Sequence, residues 1–118
     1  LNPAKLLDEV ERSVTRLSRI TGKKLEGRII IGLYVHLCCL VERLVTKTSI
    51  ENYQDLDEFQ RKHGDFIGWA RECFQDISNH YKVELPVSEI AYIYDYIHLY
   101  SKNKMIGRPS FGADREDE

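Results

Sequence analysis

The stretch Gly32–Leu44, GLYVHLCCLVERL, holds one imidazole inside an apolar run and places an arginine two turns later. Around it, Ile29, Leu33, Leu37, Leu40 and Leu44 recur at the three- and four-residue steps that put side chains on one stripe of an α-helix. The spacing predicts a helix from Gly27 or Arg28 to about Thr46. Ile31, Val35 and Cys38 fall on roughly the opposite side, so this helix calls for cover on two faces, one from its own domain and one from a second subunit.

Working outward, Asn2-Pro3 reads as a cap followed by proline in a first turn, and Leu6, Leu7, Val10, Val14, Leu17 and Ile20 carry the helical period to a stop at Gly22. A first helix over about Pro3 to Ile20 follows, then a short polar connection, Lys23 to Gly27. Thr46 to Asn52 reads as a loop. Phe59, His63, Phe66, Ile67, Ala70, Phe74 and Ile77 continue the pattern to His80, with a break near Gly64 because Gly64 and Gly68 weaken its middle. Trp69, near Phe66 and Phe74, is expected in the core.

Leu85-Pro86-Val87-Ser88 opens a last helix with Pro86 in its first turn, and Ile90, Ile93, Tyr94, Ile97 and Tyr100 keep its spacing. The aromatic and branched residues of YIYDYIHLY also suit a strand. Helix is preferred because Pro86, Ser88 and Glu89 make a helix start and no sheet partner is visible. The expectation is an all-α fold, a compact bundle of four or five helices, with residues 1–104 as the domain and 105–118 as a flexible C-terminal tail or linker.

A chain of 118 residues, 42% apolar and 31% charged, has the composition of one soluble domain. Its 17 basic and 19 acidic residues are interspersed, which implies no positive surface able to track a phosphate backbone. Direct nucleic-acid binding by this fragment is therefore not expected. An RNA-binding helical domain, kept as an alternative, would need Lys23, Lys24, Arg28, Arg43, Lys47, Arg61 and Lys62 on one face. Cys38, Cys39 and Cys73 are odd in number and lack metal or secretory spacing, which points to reduced thiols in a cytoplasmic protein. The longest apolar run, Ile29 to Val41, is interrupted by His36 and too short to cross a bilayer, and there is no signal peptide. The abrupt start at Leu1 and the ragged end read as a segment of a longer protein.

Four roles compete for His36. A histidine in an apolar helix is commonly a hydrogen-bonded structural group. A metal site is not expected: Cys38 and Cys39 do not both share its face, and His63, His80 and His98 form no H-x-x-x-H or H-E-x-x-H pattern. A Cys39–His36 nucleophile pair lacks an oxyanion element, and Cys39 is expected to be a buried, inert thiol, so neither an enzyme nor a cofactor is expected. There remains phosphoryl acceptance on an imidazole nitrogen. That chemistry needs a neutral ring nitrogen at the surface, a hydrogen bond holding the other one, and positive groups for the anion. Arg43 shares the flank of His36, and Arg28 lies on the same helix. Tyr92, Tyr94, Tyr96 and Tyr100 read as packing and interface groups, since no basic patch interleaves them.

The segments RIIIGLYVHLCCLVERLV (28–45) and ISNHYKVELPVSEIAYIYDYI (77–97) together resemble the phosphotransferase-system regulation domain (PRD) of bacterial transcriptional antiterminators and activators. The nearest flavour is the C-terminal PRD of levanase-operon-type (LevR-like) sigma-54-dependent activators, and the resemblance covers roughly residues 6–100. It implies a compact helical bundle, usually dimeric, whose activity is set by phosphorylation on histidine. His36 takes the phosphoacceptor role at the first family site, Arg43 matches the arginine that follows it, and Arg28 matches the basic position at the helix start. Glu89 matches the acidic position of an E-x-x-Y/F segment, beside its plainer reading as an early-helix carboxylate favoured by the dipole.

Many members of that family have a second acceptor histidine where this chain has Tyr96, so one acceptor is expected. His98, turned about 200° from Tyr96, is no substitute. The resemblance further implies a mannose-class EIIB component as phosphate donor, with HPr as runner-up, a homodimer, and fused ATPase and DNA-binding domains in the full-length protein. The function expected is a regulatory phosphoacceptor domain of a bacterial transcriptional regulator, with a generally inhibitory outcome. The alternatives are a structural helical dimerisation domain without phosphorylation, a histidine phosphotransfer carrier, and the RNA-binding domain.

Overall fold

The computed structural model describes residues 1–47 and 56–101. Those residues form an all-α bundle of six helices: α1 (Pro3–Thr21), α2 (Gly27–Val45), α3 (Leu56–Lys62), α4 (Gly64–Cys73), α5 (Gln75–Tyr81) and α6 (Val87–Tyr100). Residues 48–52 of the expected loop, and the expected tail, lie outside the described residues.

Local signals set the first two helices. The Asn2 side chain accepts a hydrogen bond from the Lys5 N–H at 3.2 Å, satisfying one of the orphan donors of the first turn, and Pro3 follows where its missing N–H costs nothing. Gly22 ends α1 at φ 71°, a left-handed conformation that suits glycine, and its N–H donates to the Ser18 carbonyl at 2.9 Å. Leu6, Val10, Val14 and Leu17 form the buried stripe of α1, and Leu33, Leu37, Leu40 and Val41 that of α2. Burial of such side chains contributes roughly 1.5–3 kcal/mol each against full exposure.

The second face of α2 is open at Ile31 and Val35. Cys38 departs from the expected pattern, being half-buried, while Cys39 is exposed. Leu1, Pro3, Leu6 and Leu7, from the start of the chain and of α1, line a groove along that flank together with Val35, Cys38 and Cys39.

The helical pattern expected over 59–80 is three helices. The break beside Gly64 occurs at His63, with φ −127° and ψ 36°. A second, unanticipated break at Phe74 raises the count from four or five to six. The Phe74 N–H still donates to the Ala70 carbonyl and the Ser78 N–H to the Phe74 carbonyl, both at 3.0 Å. Since i to i−4 bonds run through the bend, it needs no glycine or proline to announce it. Trp69 is exposed rather than in the core. Helix α4 buries Phe66, Ala70 and Cys73, and Trp69 lies about 100° round from Ala70.

Helix wins over strand at YIYDYIHLY, with Ile90, Ala91, Ile93 and Ile97 buried at helical spacing. Pro86 stands at the N-cap, at φ −66° and ψ 151°, rather than inside the first turn, and no side chain caps this helix. Ser88 and Glu89 point into the bundle and are buried.

Helix α1 packs against α2, α4 and α5, while α6 packs against α2, α3 and α4. The connections α1–α2 and α5–α6 are built alike: a left-handed residue (Gly22 or Lys82), then four residues of which the third is a buried leucine (Leu25 or Leu85). Among the described residues, no helix is long and apolar enough to cross a membrane.

Candidate functional site

The register of α2 puts His36 on the flank of its buried leucine stripe, facing the first turns of α6. Glu89 and Tyr92 lie three residues apart on α6 and so share a face. The His36 Nε2 lies 3.0 Å from the Glu89 Oε1. An ionised carboxylate can only accept, so Nε2 donates, and in the neutral ring Nδ1 keeps its lone pair. Glu89 is 11% exposed and His36 26% exposed at the side chain, so the carboxylate sits deeper than the ring it holds.

Tyr92 stacks on His36, with ring centroids 4.0 Å apart and planes 18° from parallel. Burial, followed by the Glu89 charge and Tyr100, pushes the Tyr92 phenol upward, keeping it neutral beside the pair. The aromatic row continues from Tyr92 to Tyr96 at 5.9 Å and on to Tyr100 at 4.9 Å. Tyr96 donates its hydroxyl to the Ile29 carbonyl at 2.6 Å. Burial, then Tyr92 and Tyr100, raise its pKa. Gly32 makes room for that phenol, since a Cβ there would stand 2.8 Å from the Tyr96 Oη.

Of the residues singled out in the sequence, His36, Glu89 and Tyr96 thus meet at the α2–α6 contact. The two arginines do not join them. Arg28 is exposed in the first turn of α2. Arg43 is half-buried, and its Nε is buried without a hydrogen-bond partner among the described residues. It shares the face of His36 seven residues on, about 10 Å along the axis. His98 points away from the site: its Nδ1 donates to the Tyr94 carbonyl at 2.8 Å and its ring stacks on Tyr94 at 4.0 Å.

Tyr92 is the member of the site whose contact the sequence reading missed. Its step of three from Glu89 was the available signal. Cys39, expected to be buried, is exposed, because it lies on the open side of α2. Burial, then Cys39 and Glu11, push the half-buried Cys38 thiol upward.

A second imidazole–carboxylate pair joins α1 to α5. Glu9 is 7% exposed, and its Oε2 accepts from the His80 Nδ1 at 2.7 Å while its Oε1 accepts from the Tyr81 hydroxyl at 2.5 Å. Burial, with the Glu9 hydrogen bond and charge behind it, pushes the Tyr81 pKa up to about 12. The 71-residue separation of Glu9 and His80 left no local signal for this cluster. Among the described residues, no group of three or more His, Cys, Asp or Glu side chains is placed to hold a metal ion.

A family model described as the PRD domain matches residues 11–100. The chain is also similar to the transcriptional regulatory protein DagR of Salmonella typhimurium (strain 14028s / SGSC 2262), at 25% identity over 103 residues, covering 83% of this chain and 10% of that protein. The chain thus spans about a tenth of the length of this relative. No solved structure matches.

Proposed function

The chain belongs to the PRD domain family, and on that premise we propose that it is the regulatory phosphoacceptor domain of a transcriptional regulator, receiving phosphate on His36 from a protein of the sugar phosphotransferase system. The observation that carries this reading is the 3.0 Å bond from His36 to Glu89 on a ring that is still 26% exposed. One nitrogen is held, the other keeps a lone pair, and a donor protein has a way in.

Tyr96 stands where many relatives carry a second acceptor, and its hydroxyl is committed to the Ile29 carbonyl, which supports a single acceptor. Arg43, on the face of His36 but about 10 Å along the axis, is a site-supporting positive charge and not a direct contact of the new anion. Arg28, at the far end of α2, supports the approach of the donor. A phosphoryl group brings about 1.5–2 negative charges. That charge is added beside the α2–α6 contact, so this contact is where phosphorylation is felt.

The donor in this reading is a mannose-class EIIB component, with HPr as runner-up, and the outcome is inhibitory. Residues 1–104 act as the domain, pairing as a homodimer through the open Ile31 and Val35 face of α2 and attached to ATPase and DNA-binding domains. The test is incubation of the domain with phosphoenolpyruvate, enzyme I and HPr, with and without the EIIB component, following acid-labile phosphate on the wild type and on His36→Ala. Label on the wild type that disappears in the variant is expected. Absence of label with both donors would favour a structural dimerisation domain, onward transfer to a receiver aspartate would favour a phosphotransfer carrier, and salt-sensitive RNA binding would favour the RNA-binding domain.

A further inference from the structure

Resting on His36 as the phosphoacceptor, the geometry points to Nδ1, not Nε2, as the atom that takes the phosphoryl group, with Glu89 as the positioning residue that decides between them. Two contacts and a difference in burial carry the assignment. Nε2 is occupied by its hydrogen bond to the Glu89 Oε1 at 3.0 Å. Glu89, at 11% exposure, lies behind that nitrogen, and Tyr92 covers one face of the ring at 4.0 Å. That leaves the opposite face, and the edge bearing Nδ1, which has no hydrogen bond among the described residues, as the approach for a donor to a ring that is 26% exposed.

A half-turn of the ring would preserve the stack on Tyr92 but set a carbon against the carboxylate, forfeiting a charge-assisted bond. Nε2 can be freed only by giving up that same bond.

The transfer balances without moving a proton off the ring. The Nδ1 lone pair forms the new N–P bond as the bond between phosphorus and the donor's phosphohistidine nitrogen breaks, and that donor imidazole leaves with the electron pair. Nε2 keeps its hydrogen, and Glu89 neutralises the positive charge that the ring acquires. Phosphorylation at Nδ1 thus leaves the α2–α6 tie in place, whereas phosphorylation at Nε2 would have to break it.

His80 provides a built-in contrast. Its Nδ1 is the nitrogen bonded to Glu9, at 2.7 Å, so its outward nitrogen is Nε2. The two phosphohistidine isomers therefore distinguish the two histidines.

The domain is charged with phosphoenolpyruvate, enzyme I and HPr, or with the EIIB component added, kept alkaline to preserve phosphoramidates, and read by phosphorus NMR and by isomer-selective antibodies. The expected result is the Nδ1 isomer on His36 in roughly ten-fold excess or more, the preference that one charge-assisted hydrogen bond imposes. Glu89→Ala, checked for retained helicity, is expected to collapse that excess and bring in the Nε2 isomer. Predominance of the Nε2 isomer on His36 in the wild type would overturn the assignment while leaving the phosphoacceptor reading intact. Wild type carrying no phosphate on His36 would overturn both.

Discussion

Two imidazole–carboxylate pairs tie α1 to α5 and α2 to α6, and they are built differently. In one, Glu9 is almost fully buried and saturated, with one oxygen on His80 and the other on Tyr81. In the other, Glu89 holds His36 through one oxygen alone, and no second hydrogen bond satisfies the carboxylate among the described residues. His80 is the more exposed ring, at 43% against 26%, so exposure alone does not single out the proposed acceptor. What separates the pairs is how completely the carboxylate is committed: the saturated pair serves as a clasp, and the half-committed pair has room to respond to an added charge.

The largest expected effect is on phosphate incorporation. His36→Ala should abolish donor-dependent label, whereas His80→Ala should keep it near the wild-type level while lowering stability; equal loss from both variants, read by autoradiography, would erase the distinction between the pairs. Stability should rank the carboxylates in the reverse order. Glu9→Ala leaves two donors without their acceptor and should cost about 2–4 kcal/mol in urea unfolding, against about 1–2 kcal/mol for Glu89→Ala, which releases one.

Packing around the responsive pair is tight in one place. Gly32→Ala drives a Cβ to 2.8 Å from the Tyr96 Oη, and the resulting strain should destabilise the domain by about 1–3 kcal/mol. Gly32→Ala combined with Tyr96→Phe removes the clashing oxygen and should recover most of that loss, apart from the hydrogen bond to Ile29. Full additivity in a double-mutant cycle would contradict the contact.

A further effect lies at alkaline pH and sharpens the picture of the clasp. Folding raises the Tyr81 pKa from 10.0 to about 12, so between those values the folded chain holds a proton that the unfolded chain has released. The associated stability is fully present below pH 10 and is lost as pH rises toward 12. Tyr81→Phe should flatten this decline in thermal unfolding. A residual slope is expected from Tyr34, Tyr92 and Tyr96, whose pKa values burial also raises.

The legible parts of the sequence were those written in local chemistry. Asn2-Pro3, Gly22 and the leucine periods announced α1 and α2, and Pro86 announced α6, although it serves as the cap and not as part of the first turn. The bend at Phe74 was not legible, because its hydrogen bonds continue through it. Trp69 and Cys39 went the wrong way because neighbourhood in sequence stood in for position around the helix. His36 was marked by its isolation in an apolar run, and Glu89 by the resemblance of its segment. Their bond spans 53 residues, so only the packing of α6 on α2 could establish it. The Glu9–His80–Tyr81 clasp has no short-range pattern at all.

Fragmentation mass spectrometry of the donor-charged wild-type domain, handled at alkaline pH, tests most directly whether the half-committed pair is the one that responds. The expected result is a single phosphoryl group per chain, retained on fragments containing His36 and absent from those containing His63, His80 or His98. A phosphoryl group found on His80, with His36 unmodified, would contradict it.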